Sequence, residues 1–204
     1  MAPNVPESYL KARQEQIINA AVACFSRKGF HQTTMKDICE EAGLSPGAVY
    51  NYFPSKEDIV ARCAEMSLQR NQEIYSSASG KGTVEAFKDV LRVLFSLAKQ
   101  ENIDQAFRFD LELWAESTRN PKVREALHKN EEGNLTFLTK MVKDGQEQGI
   151  FNPEVDARSF ARLLFSTFAG FEVQMASNPD MDVDSYKSVL DSFIEGTLVN
   201  KLNP

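Results

Sequence analysis

Residues 34–60 read TMKDICEEAGLSPGAVYNYFPSKEDIV, two short helical segments joined by a glycine turn. Thr34 is placed to cap a helix over Met35–Ala42, with Asp37 at its third position as in a capping box. Gly43 supplies the left-handed residue that closes it. Ser45 caps a second helix, and Pro46 stands at the first helical position, where a missing N–H costs nothing. Two short helices separated by such a turn form a helix-turn-helix, whose second helix can lie in the major groove of DNA.

At about 100° per residue, Val49 and Phe53 share the buried side of that second helix. Its other side carries Gly47, Ala48 and Asn51, flanked by Tyr50 and Tyr52. None of these is charged. Gly47 and Ala48 let the backbone sit close to a groove, and Ala48 can touch a thymine methyl. Asn51 fits an adenine edge or a phosphate, and the sequence does not choose. Tyr50 suits a phosphate through its hydroxyl, whereas Tyr52 fits packing as well as contact. Beyond Pro54, Ser55 caps another helix with Lys56 in its first turn. A lysine there opposes the helix dipole, which makes sense if that end meets a phosphate. Thr33, Thr34 and Lys36 are placed to do the same one helix earlier.

The 204 residues are 42% hydrophobic and carry a net charge of −6, enough for one good core and a smaller second one. Residues 1–62 hold seven Lys/Arg and seven Asp/Glu, so the remainder carries the −6. DNA binding therefore rests on the motif rather than on a basic patch, and non-specific binding should be weak and strongly salt-dependent. Cys24, Cys39 and Cys63 each fall in an apolar helical pattern. With no signal peptide or membrane-spanning run in the sequence, they fit buried packing in a reducing cytoplasm. A redox switch finds no support in their spacing.

The helix from Ser55 runs through Met66 and toward Tyr75, ending in SSASGKG (76–82), the natural domain boundary. From Thr83, a cap, the chain reads as helices only. Val84, Phe87, Leu91, Leu94, Phe95 and Ala98 make one apolar stripe. A helix over Asp104–Ser117 follows, and a long one runs from Asn120-Pro121 to near Gly149, with Gly133 loosening its middle. The last two helices, Val155–Ser177 and Val183–Lys201, are apolar enough to form a two-fold four-helix interface with a second copy. Phe160, Leu164, Phe171, Met175, Val189, Phe193 and Ile194 are the candidates for it, and mid-helix Gly170 would permit close helix approach. The expected fold is all-α with about nine helices. Its DNA-binding domain spans 1–62 (ordered from 10, with a connecting helix to about 76), and a second helical domain, its last two helices suited to dimerisation, spans 77–204.

The stretch GFHQTTMKDICEEAGLSPGAVYNYFPSKEDIV, with the helix before it at about Arg13–Lys28, resembles the DNA-binding domain of the TetR family of transcriptional regulators. The likeness rests on Gly29, Phe30, Thr33, Thr34, Ile38, Ala42, Gly43, Ser45, Gly47, Tyr50, Tyr52, Phe53, Lys56 and Glu57. It implies phosphate contacts at Thr34, Tyr50 and Lys56, and dimerisation through the last two helices. Asn51 stands where histidine is common and Pro46 where lysine is common, which bears on the operator sequence. The DNA-facing set is then Thr33, Thr34, Lys36, Ser45, Pro46, Gly47, Ala48, Tyr50, Asn51, Tyr52 and Lys56. LWAESTRNPKV (113–123) is similar to the ligand domain of one subgroup.

The resemblance further implies a small, largely apolar effector that releases a homodimeric repressor from a palindromic double-stranded operator. Phe107, Leu111, Trp114, Phe137, Met141 and Phe168 are candidate pocket residues, with Asp110, Glu172 and Gln174 as polar groups that either orient a ligand or face solvent. An adaptor of the same fold, recruiting a protein partner without an inducer, is the alternative. Catalysis is not expected: His31 and His128 lack a companion nucleophile or metal spacing. No cofactor or metal is expected either. His31 reads as a surface or phosphate-contacting residue, and His128 as a solvent-facing one.

Overall fold

The computed structural model of the chain describes residues 6–78, 83–97, 103–178 and 180–199. Among them are nine helices: α1 (Glu7–Lys28), α2 (Met35–Ala42), α3 (Pro46–Tyr52), α4 (Lys56–Ala78), α5 (Thr83–Leu97), α6 (Ile103–Ser117), α7 (Pro121–Glu147), α8 (Ala157–Ser177) and α9 (Val183–Leu198). The only β-type pairing among these residues is an isolated bridge between Phe151 and Val199. The fold is all-α. Ala98, residues 79–82 and Lys201 lie outside the described residues, as do the side chains of Thr83, Val84, Phe87 and Leu94. Among the described residues no helix is long and apolar enough to cross a membrane.

Local capping chemistry sets the helix ends. α1 opens at Glu7 rather than near Arg13, because Glu7 places a negative charge in its first turn and pairs with Lys11 at 3.1 Å. Both terms favour helix in a stretch with little apolar periodicity. The Asn120 carboxamide oxygen accepts from the N–H of Lys122 and Val123 at the start of α7. Asp156 accepts from Ser159 N–H at 2.7 Å ahead of α8, and Asp182 from Asp184 and Ser185 ahead of α9. Each such cap contributes about 1 kcal/mol. α9 stops at Leu198, whose carbonyl accepts from Asn152 N–H at 2.7 Å beside the Phe151–Val199 bridge.

The chain forms two compact units, Met1–Met66 with Gln105–His128, and Ser67–Asp104 with Lys129–Pro204. The first unit thus takes in most of α6 and the opening of α7 together with the N-terminal helices. Its core holds Ile17, Ala21, Phe25, Ile38, Val49, Ile59 and Val60, all fully buried, with Phe109 and Leu113 from α6 and Val123 from α7. Phe25 stacks on Phe109 with centroids 5.9 Å apart and meets Phe30 at 5.1 Å.

The second unit centres on Val90, Leu135, Leu138 and Ala161, against which Ile74, Phe137, Met141 and Phe165 pack. In the same unit Phe95, Phe168, Phe171 and Tyr186 form an aromatic group with centroids 4.8–6.1 Å apart. Gly133 does not loosen α7. A Cβ there would stand 2.7 Å from both terminal carbons of Leu68, so its absence lets α4 and α7 touch. Gly170 behaves oppositely: among the described residues nothing comes within 4 Å of its missing side chain.

Candidate nucleic-acid interface

α2, the turn and α3 are built by reciprocal hydrogen bonds. Thr34 Oγ1 accepts from Asp37 N–H at 3.1 Å, and the Asp37 carboxylate accepts from Thr34 N–H at 2.8 Å. Lys28 Nζ lies 2.7 Å from the same carboxylate. These partners, Lys28 first and then Thr34, hold the Asp37 carboxyl well below the usual carboxylate range. Gly43 takes φ 64°, in the left-handed region, and donates to the carbonyls of Cys39 and Glu40. Ser45 Oγ accepts from Ala48 N–H at 3.3 Å, and Pro46 begins α3.

The seven-residue α3 shows one anchored face and one open face. Val49 and Phe53 are buried at 0% and 4% exposure. Ser45, Pro46, Gly47, Tyr50 and Asn51 are exposed, Ala48 half-buried, and Tyr50 stands 49% exposed. A Cβ on Gly47 would meet nothing within 4 Å, so the protein's own packing does not require a glycine there. Tyr52 is half-buried against the core, on the packing side of its two expected roles.

Two of the expected phosphate contacts are occupied inside the protein. Thr33 is 1% exposed and its hydroxyl donates to Gly29 O at 2.8 Å, which removes it from the DNA-facing set. Lys56 Nζ donates to Phe30 O at 2.6 Å and Thr33 O at 2.7 Å, and lies 4.3 Å from the centre of the Phe30 ring. Burial holds this ammonium below the usual lysine range. Two of its three donors are thus spent on bracing the loop between α1 and α2. Thr34 and Lys36 remain exposed, Lys36 with its side chain 83% accessible and 3.6 Å from Glu40.

Sequence reading did not foresee the part α6 plays in this unit. Phe30 N–H donates to Glu112 Oε2 at 3.2 Å. Glu116, 2% exposed, lies 3.3 Å from His31 Nε2 and 2.8 Å from Arg119 Nε. Asn120 Nδ2 donates to Glu57 at 3.1 Å, and Ser26 Oγ to Gln105 O at 2.8 Å. A signal existed: Phe107, Phe109, Leu111 and Leu113 alternate, which on a helix gives two apolar faces rather than one.

The ligand candidates divide between the units. Phe107, Asp110, Leu111 and Trp114 belong to the first, Phe137, Met141, Phe168 and Glu172 to the second. Phe107 is buried, Trp114 is 38% exposed, and Asp110, Leu111, Phe137, Met141, Phe168 and Glu172 are half-buried. Gln174 and His128 face solvent. Of the interface candidates, Phe160, Leu164, Phe171, Met175 and Ile194 are buried within the protomer. They are core residues first, because an apolar stripe that closes the protomer reads like one that pairs protomers. Val189 at 71% and Phe193 at 46% are exposed, as are Leu163 of the same apolar stripe and Val173, which the stripe does not include. Burial raises all three thiols, Cys63 to about 12, as suits packing cysteines.

Comparison with known proteins agrees with this geometry. Residues 17–63 match the family described as bacterial regulatory proteins, tetR family, and residues 84–199 match the BetI-type transcriptional repressor, C-terminal family. The HTH-type transcriptional regulator UidR of Escherichia coli is 28% identical over 187 residues, covering 90% of this chain and 91% of its own. The uncharacterized HTH-type transcriptional regulator YfiR of Bacillus subtilis is 29% identical over 178 residues, 81% of each chain. Among solved structures, Salmonella enterica GusR superposes with a TM-score of 0.79 at 27% identity, over 95% of this chain and 98% of its own.

Proposed function

The chain belongs to the TetR family of bacterial transcriptional regulators, and from that premise we propose that it is a homodimeric repressor of a palindromic operator, released by a small, largely apolar effector. The observation that carries the DNA-binding part is the open face of α3. Gly47, Tyr50 and Asn51 stand exposed on a helix fixed from below by Val49 and Phe53. Gly47 leaves room for close backbone approach, Asn51 faces base edges or a phosphate, and Tyr50, with Thr34 and Lys36, faces phosphates. Lys56 keeps one donor for the same purpose while its other two brace the loop. The match of residues 84–199 to a repressor domain supports repression.

Two copies are needed because one short, uncharged reading face offers few contacts. A two-fold pair doubles them and imposes a palindrome. The exposed apolar residues Leu163 and Val173 on α8 and Val189 and Phe193 on α9 support pairing through these helices. The open space beside Gly170 and Gly196 leaves room for a partner helix. The effector would enter the 77–204 domain, where Phe137, Met141, Phe168 and Glu172 are the candidates to line its site. Release follows if effector and operator favour different conformations of the dimer.

The test is selection of bound duplexes from a random double-stranded pool at near-physiological salt, then a thermal-shift screen of small apolar compounds. Enrichment of a palindrome, and its release by a compound that stabilises the protein, is the expected result. A pool without enriched sequence would overturn the reading.

A further inference from the structure

We propose that Glu112 on α6 is a positioning residue for DNA binding: its carboxylate fixes the Gly29–Phe30 corner from which the helix-turn-helix starts. This inference rests on the DNA-binding reading above. α1 ends at Lys28, and Gly29 turns the chain at φ 79°. A Cβ at Gly29 would lie 3.0 Å from Glu112 Oε2, so the missing side chain leaves room for the carboxylate. That oxygen accepts from Phe30 N–H at 3.2 Å. From the other side Lys56 Nζ holds Phe30 O and Thr33 O at 2.6 and 2.7 Å. The corner is therefore gripped on its amide by an anion and on its carbonyls by a cation, both charge-assisted and geometrically demanding. Thr34, the cap that starts α2, follows at once.

The residue one turn further on supports the same reading. Glu116 shares the α6 face with Glu112, and two like charges four residues apart disfavour an isolated helix. Glu116 is nonetheless 2% exposed and satisfied by Arg119 and by His31 of the same corner. Carboxylates placed against local helix preference and toward a single loop point to a tertiary purpose. They also add negative charge to the unit that must approach phosphates. Electrostatics alone makes Glu112 a hindrance to DNA, whereas positioning makes it a requirement. The two accounts predict opposite effects of the same substitutions.

Glu112→Gln removes the charge and keeps an acceptor of the same reach. Glu112→Asp keeps the charge and withdraws it by one methylene. Both are mild enough to fold, which a melting curve checks. On the duplex selected by the wild-type protein, Glu112→Gln should bind within about threefold of wild type, and Glu112→Asp about 5- to 20-fold more weakly. Hydrogen exchange at the Phe30 amide should accelerate in the Asp variant and stay slow in the Gln variant. An Asp variant that binds like wild type, or a Gln variant that binds markedly tighter, overturns the proposal. Failure of the wild-type protein to select any duplex counts against the DNA-binding reading instead. The Phe30 amide then decides the corner alone, and equal protection in wild type and the Asp variant removes it.

Discussion

At the scale of single residues, the exposed face of α3 separates function from stability. Gly47→Ala places a methyl in open space, so the melting temperature should hold or rise, by up to about 1 kcal/mol in stability. Operator affinity should nonetheless fall, because the backbone can no longer approach the groove as closely. Tyr50→Phe removes one hydroxyl from a half-exposed ring. It should weaken operator binding by about 1 kcal/mol with unchanged stability. Lys56→Met should cost stability as well, because it loses the bonds to Phe30 O and Thr33 O; thermal unfolding should show a loss of about 1–3 kcal/mol. The burial of Val49 and Phe53 was legible because helical periodicity alone places them on one side. The inward hydroxyl of Thr33 was not. A threonine just before a helix reads the same whether it faces a phosphate or the Gly29 carbonyl, and only the folded loop decides.

At the scale of elements, what was local in the chain was legible. The bounds of α2 and the opening of α3 follow from Thr34, Asp37, Gly43, Ser45 and Pro46, each of which acts within one helical turn. Thr34→Ala should lower stability by about 1 kcal/mol through the lost cap, as read by urea unfolding. Asp37 adds a pH dependence with a definite sign. Its folded pKa lies below the unfolded value of about 3.9, so its stabilisation is complete above that pH and is lost as pH falls toward the folded value. Asp37→Asn should flatten the fall of the melting temperature below about pH 4, and an unchanged acid limb would contradict the Lys28–Asp37–Thr34 network. α6 was only half legible. Its Phe107–Leu111–Trp114 stripe was read, but the Phe109–Leu113 stripe and the carboxylates beside it find their partners far away in sequence, at Phe25, Phe30 and His31.

At the scale of the whole molecule, apolar periodicity cannot tell a protomer core from a protomer contact. That is why Phe160, Phe171 and Ile194, expected as contacts, are buried, while the exposed Val173 lies outside the expected set. If α8 and α9 pair two copies, Val189→Asp with Phe193→Asp should yield a folded monomer in sedimentation and lose palindrome binding. A dimer that persists would place the interface elsewhere. The central claim is that two copies read a palindrome through α3. Its most direct measurement is the ratio of dissociation constants for the selected palindrome and a random duplex of equal length at one salt concentration. The account predicts a preference of about a thousandfold or more, reduced by Gly47→Ala, whereas Tyr50→Phe weakens binding to both duplexes alike. Equal affinity for the two duplexes would contradict it.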